Sequence, residues 1–352
     1  MPPAVKRAIF LQTGVQPLLS NQLLFFSGVF VCTSAVFTIL SSSSVHSNNT
    51  TSTNLEAAEM IMQCCASCGI TEGDDIKLRT CTGCKSVRYC GVKCQRDHRP
   101  KHKRACKERA AELRDEILFK QPESSHLGDC PICFLPLPLY PTKPSTYPCC
   151  SKVICMGCDY ANQIRELQEK LQHKCPFCRK PLSTTQEGKK YRMKRIEMND
   201  PVAMRYEGGE QYDKGNYSTA FQYWTKAAGL GDMIAHYQLS ILYHQGRGVE
   251  KDEKKEVFHL EEAAIGGHHI ARYNLGAVEA ESGRIERAVK HLMIAANQGH
   301  DVALKLLVDN HKRGFVSKED LAMALRAHQA AVDATKSSQR DDADAARARG
   351  VY

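Results

Sequence analysis

The strongest constraint on this chain is a run of paired cysteines between Cys65 and Cys178. This stretch of 114 residues holds fifteen of the seventeen cysteines. Five pairs have the form Cys-x-x-Cys: Cys65/Cys68, Cys81/Cys84, Cys130/Cys133, Cys155/Cys158 and Cys175/Cys178. Two residues between thiolates let one tight turn present both sulfurs to a single ion, the geometry of a tetrahedral zinc knuckle. A lone pair of this kind would suit a redox site equally well. Five of them, with further Cys and His at ligand spacing, point to zinc.

A chain of 352 residues accommodates two or three domains. The cysteine-rich part carries few large apolar residues, so it cannot build much core and needs metal as a staple. Thiolate sites of this kind persist in a reducing compartment, so cytosol or nucleus is the expected location. The net charge of +9 is concentrated locally, with twelve Lys or Arg between Lys77 and Arg109 against only Asp97 and Glu108. Such a patch could meet nucleic acid or an acidic protein. No aromatic residues interleave with it to stack on bases, so we favour reading the cations as neutralising the anionic zinc–thiolate clusters and keep nucleic acid as the lesser alternative.

Residues 1–60 read as a leader. Lys6 and Arg7 precede an uncharged, largely apolar run from Leu23 to Leu40, followed by a Ser/Thr/Asn-rich tract from Ser41 to Asn54. Two readings stand side by side: a targeting or membrane-anchoring segment at 23–40, or a disordered extension with Met60 or Met62 as later starts. Basic residues ahead of the run favour a cytosolic N-terminus, which would carry the thiolates into an oxidising lumen. Cys32 reads as apolar filler.

The first cluster spans residues 61–110. Its candidate ligands are Cys65, Cys68, Cys81, Cys84, Cys90, Cys94, His102 and Cys106, and it closes on "YCGVKCQ" and "HKRAC". It resembles the MYND-type zinc finger at all eight positions. The resemblance implies two interleaved zinc sites, one on Cys65, Cys68, Cys90 and Cys94, the other on Cys81, Cys84, His102 and Cys106. His98 competes with His102, but His102 alone has the family's three-residue gap to Cys106, and Cys64 is a spare beside Cys65. The family often has Trp where this chain has Arg99, so the resemblance carries the zinc fold and not the proline-rich peptide groove. Residues 107–126 form a helical spacer, with Ala110, Leu113 and Ile117 on one face and Pro122 ending it.

The second cluster spans residues 127–182, with Cys130, Cys133, Cys149, Cys150, Cys155, Cys158, Cys175 and Cys178 in order. Its gaps resemble an all-cysteine RING finger. The family's cross-brace implies one zinc on Cys130, Cys133, Cys155 and Cys158 and another on Cys149, Cys150, Cys175 and Cys178, four ions in the chain altogether. The adjacent pair Cys149–Cys150 departs from the family's spacing, and if one is not a ligand the site needs a water or a shifted partner. A short helix is expected between Cys158 and Cys175, with Ile164, Leu167 and Leu171 on one face. RING ubiquitin ligases dock a ubiquitin-conjugating enzyme on an apolar residue in the first Cys-x-x-Cys, on that helix, and on a proline in the last Cys-x-x-Cys. The matching residues here are Ile132, Ile164 and Pro176. The cation after the last ligand, Arg179, would grip ubiquitin and its carrier together. Catalysis of that kind is positioning alone. Packing of the knuckle turns by Ile132 and Pro176, with Arg179 solvated, is the plain alternative. The sequence holds no Ser/His/Asp or paired-carboxylate constellation suggesting another enzyme.

A basic linker (183–202) leads into repeats at 203–335. Ala220, Glu256, Ala288 and Ala324 are spaced 36, 32 and 36 apart, and each opens a helical pattern. Gly231, Gly267 and Gly299 follow as helix stops. Second helices carry Ala235, Leu239, Leu242 and Tyr243, then Ala271, Leu275 and Val278. Paired helices with alanines where they cross define an α-solenoid. It resembles Sel-1-like repeats, relatives of tetratricopeptide repeats, with "GRGVEKD" from Gly246 to Asp252 as the turn between helices and Glu256 as a departure. His259, His268, His269, His291 and His300 are expected on helix surfaces, and residues 336–352 form a charged, frayed tail. The expected fold is thus two small zinc-stapled modules followed by an all-α helix-pair solenoid. The expected function is protein interaction: a RING-type ligase whose solenoid recruits substrate, or a scaffold without catalysis. A nucleic-acid or chromatin factor ranks third.

Overall fold

The computed structural model describes residues 63–139, 144–181 and 184–350. The expected leader at 1–60, with the run at 23–40 and Cys32, lies outside them. Among the described residues, no helix is long and apolar enough to cross a membrane. The chain divides into two units, one ending at Leu113 and one beginning at Arg114.

The first unit is built on a two-stranded antiparallel ribbon, β1 (Arg79–Thr80) and β2 (Arg88–Tyr89), with Arg79 opposite Tyr89. Its small core consists of Cys65, Leu78, Cys81, Cys84 and Tyr89, so ligand sulfurs do the work of aliphatic side chains. Helix α1 (Val92–Leu118) begins inside this cluster and carries Cys94, His102 and Cys106. The separate spacer helix expected from Lys107 is therefore the continuation of a longer one, which tolerates Pro100 in its interior. That proline removes one backbone donor, but ligand side chains on either side hold the helix in register.

In the second unit, a hairpin of β3 (Ser145–Tyr147) and β4 (Lys152–Ile154) precedes helix α2 (Met156–Gln168). Their core joins Leu137, Tyr147 and Ile154 to the cysteines. Ser145 and Tyr147 both donate hydroxyl protons to the buried Asp159 at the start of α2, fixing the hairpin to the helix. Leu167 is 77% exposed and Leu171 48%, so the apolar face expected there is not a packing face, and α2 ends before Leu171. The basic linker is mostly helix α3 (Thr185–Glu197), capped by Thr184, with Tyr191 packed on the zinc module.

The helix pairs follow as α4 (Pro201–Asp213), α5 (Tyr217–Gly229), α6 (Met233–Gln245), α7 (Glu253–Ile265), α8 (His269–Glu281), α9 (Ile285–Asn297), α10 (Asp301–Lys312) and α11 (Lys318–Asp333). Each pair meets at small residues. A Cβ on Gly208 would lie 2.5 Å from the indole nitrogen of Trp224, so only glycine lets α4 approach α5 this closely. Glu256, the expected irregularity, is buried and paired with His244 Nδ1 at 3.1 Å.

One capping device recurs at four junctions. Asn199, Gly231, Gly267 and Gly299 take positive φ values of 57°, 89°, 83° and 90°. The next residue then caps the following helix: Asp200 and Asp232 with carboxylate oxygens, His268 and His300 with Nδ1. Each accepts the N–H of a buried alanine, at 3.1 Å for Ala203, 2.8 Å for Ala235, and 3.2 Å for both Ala271 and Ala303. His268 and His300 therefore occupy the repeat's capping-Asp position, and with His269 and His291 they are buried instead of lying on helix surfaces.

A capping imidazole must be neutral to accept. Burial, with His126 and His269 nearby, holds His268 well below the ordinary histidine range. Burial also lowers His300 to about 4. The unfolded chain binds these protons at about pH 6.5 and the folded chain does not. Their stabilisation is full above that value and is lost as the pH falls toward about 4. Thermal melts at pH 7 and pH 5 should show a smaller acid-induced drop in Tm for His300→Asp than for the wild type. Equal drops would refute the assignment.

The chain from Arg114 to His126 lies along α7, α8 and α9. Arg114 bonds Glu261 at 2.7 Å and Glu262 at 2.9 Å, and Asp115 pairs with Arg287. Phe119 packs on His291 with ring centroids 4.7 Å apart, and the His126 ring lies 4.2 Å from that of His268. Leu118 is 1% exposed, whereas Ile117, expected on the apolar face, is 52% exposed. This covering strap helps to bury His268, His269 and His291, whereas His300 packs on His269 and Tyr273.

Residues 338–348 of the expected frayed tail are helical. Helix α12 (Ser338–Ala348), capped by Ser337, buries Arg340, Ala343 and Ala346 on one face and packs on α2.

Candidate metal centres

The cysteine pairs share one local structure. In four of them the residue after the second cysteine is left-handed: Gly69, Lys85, Phe134 and Arg179, at φ of 74°, 56°, 58° and 61°. Each donates its N–H to the first cysteine's carbonyl, at 2.9, 3.0, 2.9 and 2.9 Å respectively. This turn directs both sulfurs to one point. The same device serves both modules, although only one of the four positions is glycine. The fifth pair is built differently: Cys155 caps α2, its sulfur accepting the N–H of Cys158 at 3.4 Å.

The fold gathers the candidate ligands into four groups: Cys65, Cys68, Cys90 and Cys94; Cys81, Cys84, His102 and Cys106; Cys130, Cys133, Cys155 and Cys158; and Cys149, Cys150, Cys175 and Cys178. The donor atoms of each lie within 4.8 Å of one another. Zinc–sulfur bonds of ~2.3 Å at the tetrahedral angle put sulfurs ~3.8 Å apart. The observed separations include 3.6 Å for Cys68–Cys90, 3.7 Å for Cys81–Cys106, 3.7 Å for Cys133–Cys155 and 3.8 Å for Cys150–Cys175. These are edges of a zinc tetrahedron and far from a disulfide of ~2.05 Å. All of these cysteines are free thiols. The four tetrads fit four zinc ions.

His102 Nε2 lies 3.3 Å from Cys84 Sγ, inside the second group. His98 instead meets the Tyr89 hydroxyl at 3.1 Å and stacks on the His102 ring. Both members of the adjacent pair reach the fourth group, Cys149 lying 3.3 Å from Cys178. Left-handed Ser151, φ 57°, tightens the β3–β4 turn so that consecutive side chains converge.

Electrostatics explains why a cation belongs there. Hydrogen bonding from Cys155 holds the Cys130 thiol down at about 4, while burial foremost pushes Cys158 up to about 12. Pairing with Cys150 likewise lowers Cys175 to about 5, and burial raises Cys149 to about 12. One sulfur in each tetrad ionises readily, but its charge opposes ionisation of the others. A divalent ion removes that conflict and releases protons as it binds.

Around the second module, Ile132 is 37% exposed, Pro176 half-buried, Ile164 half-buried and Arg179 exposed. Phe134 at 77% and Phe177 at 43% exposed were not singled out from the sequence. Their positions within or directly after the outer Cys-x-x-Cys pairs were the available signal.

Comparison with known proteins agrees with this architecture in outline. Residues 65–106 match the MYND finger, and residues 202–232, 234–268 and 269–300 each match the Sel1 repeat. Zinc fingers joined to Sel1 repeats form a protein-interaction architecture. Among solved structures, the chain is similar to a Sel1 repeat protein from Oxalobacter formigenes, at 29% identity and TM-score 0.37, covering 43% of this chain and 65% of that one. It is also similar to c5321, a protective antigen of uropathogenic Escherichia coli displaying an SLR fold, at 20% identity and TM-score 0.34, covering 49% of this chain and 37% of that one. The chain thus spans less than two thirds of either relative. No curated protein matches it.

Proposed function

We propose that this protein is a RING-type ubiquitin ligase, residues 130–178 holding two zinc ions in a cross-brace and the repeats recruiting substrate. The observation that carries the reading is the alternating use of cysteine pairs in the second module: first with third, second with fourth. Around it stand exposed Ile132, half-buried Pro176 and exposed Arg179. Nothing in this scheme is an acid, base or nucleophile. The zinc ions hold the loops, Ile132 and Pro176 seat the conjugating enzyme, and Arg179 restrains the thioester-linked ubiquitin in its reactive conformation. A substrate segment has room in a cleft of about 770 Å³ whose walls include Pro136, Leu137, Ala331 and Val332.

Autoubiquitination across a panel of conjugating enzymes tests this. Chains should form with at least one enzyme. Arg179→Ala and Ile132→Ala should each slow the reaction about tenfold, the effect of removing ~1.4 kcal/mol of positioning, while zinc content is retained. Activity unaffected by either change would remove the reading.

A second reading, a scaffold without catalysis, has an observation of its own: α12 already packs on α2, the helix a conjugating enzyme would use. It expects no ubiquitin transfer with any enzyme of the panel.

A further inference from the structure

Arg340 is 7% exposed, although arginine is rarely buried without a carboxylate. It sits in the first turn of α12, far along the chain from the cysteines. Its guanidinium donates to the carbonyls of Pro136 at 2.7 Å and Leu135 at 3.3 Å, and lies 3.5 Å from the sulfur of Cys133. Cys155, of the same tetrad, also interacts with it. The approach is built in from both sides. A Cβ on Gly157, beside Cys158, would lie 2.8 Å from the Arg340 backbone nitrogen. Ala343 and Ala346, both 0% exposed, continue the contact face at successive turns.

We infer that α12 is a working part of the second zinc module, with Arg340 as the cation that balances the charge of the tetrad Cys130, Cys133, Cys155 and Cys158. Four thiolates around one divalent ion leave net negative charge, and in a buried setting a hydrogen-bonded cation at the sulfurs stabilises the ionised, metal-binding form. The carbonyls of Leu135 and Pro136 fix the planar guanidinium beside the sulfur. The other three tetrads have no such arginine among the described hydrogen bonds. Arg340 is thus a positioning and charge-compensating residue for one ion of four.

The inference rests on those four cysteines binding zinc, and the experiment separates the two claims. Zinc is first counted in the full wild-type chain, where fewer than four ions would unseat the ligand assignment itself. Zinc release to a chromogenic chelator is then followed for wild type, Arg340→Met, Arg340→Lys and Ala346→Glu, with alkylation of each cysteine mapped by mass spectrometry. Arg340→Met should release one ion at least ~10-fold faster, the usual scale for losing a partner of a metal ligand, with Cys133 and Cys155 alkylated first. Arg340→Lys should recover part of the retention by keeping the charge. Ala346→Glu, which displaces the helix two turns away, should loosen the same ion. Wild-type retention in Arg340→Met, equal loosening of all four ions, or no recovery by lysine would each overturn the inference.

Discussion

Stripping this protein with a strong chelator at neutral pH is expected to release four zinc ions and to unfold both cysteine modules, while the helices α4 to α11 keep their signal. The two parts are held by different forces. The repeats bury Trp224, Leu239, Leu242, Leu275, Leu292 and Leu307 against alanines, and this apolar interior survives without metal. The modules bury mainly sulfur. Outside the ligands, the core of the first amounts to Leu78 and Tyr89. A structural zinc contributes ~10–16 kcal/mol to such a site, more than the whole stability of a typical domain. Binding displaces thiol protons, so release should be faster at pH 6 than at pH 8. Amide exchange localised by mass spectrometry is the measurement. Protection in residues 65–106 and 130–178 should vanish with the metal, and protection that persists in fully stripped material would contradict the account.

The second large effect is expected at Arg272. This side chain is 0% exposed, and burial alone lowers its pKa to about 10. Its guanidinium donates to the carbonyl of Ala264 at 2.7 Å, within the repeats, and to that of Leu118, where the strap leaves α1. One residue therefore satisfies the open end of two helices and fastens the strap to the solenoid. Arg272→Ala would leave the buried Leu118 carbonyl without its donor, remove one of the donors to the Ala264 carbonyl, and open a cavity between them, costing about 2–5 kcal/mol. Leu118→Ala should cost about 2–5 kcal/mol by cavity formation alone. Urea melts of the full chain give the loss, and faster tryptic cleavage at Lys120 would show that the strap is what comes free. A loss under about 1 kcal/mol for Arg272→Ala would mean that the strap is not anchored there.

The metal centres were legible in the sequence because their signal is covalent. Two residues between cysteines fix the reach of the sulfurs whatever surrounds them, so grouping and spacing could be read without tertiary knowledge. The helix pairs were legible for a related reason, since alanine and glycine recur at the crossing points. What escaped was set by segments distant in sequence. His268 and His300 looked like surface residues until their place after Gly267 and Gly299, matching Asp232 after Gly231, marked them as caps. That alignment was available. The strap that covers His268 was not, because nothing local in "RDEILFKQPESSH" says which surface it covers. Leu167 and Ile117 failed for the opposite reason: a helical apolar period promises a buried face only where a neighbour exists to bury it. The tail read as frayed because alanine and charge alternate in it, and what buries Arg340 lies far away in sequence: Gly157, the carbonyls of Leu135 and Pro136, and the sulfur of Cys133.

Docking of α12 also bears on the order in which the molecule is made. A chain emerging from the ribosome exposes Cys130 through Cys178 early, while Arg340 follows only after every repeat has been synthesised. Through that interval the third metal centre exists as a provisional structure, its anionic thiolates lacking their counter-charge. A chain truncated before α12 would then hold this ion more weakly than the full chain does.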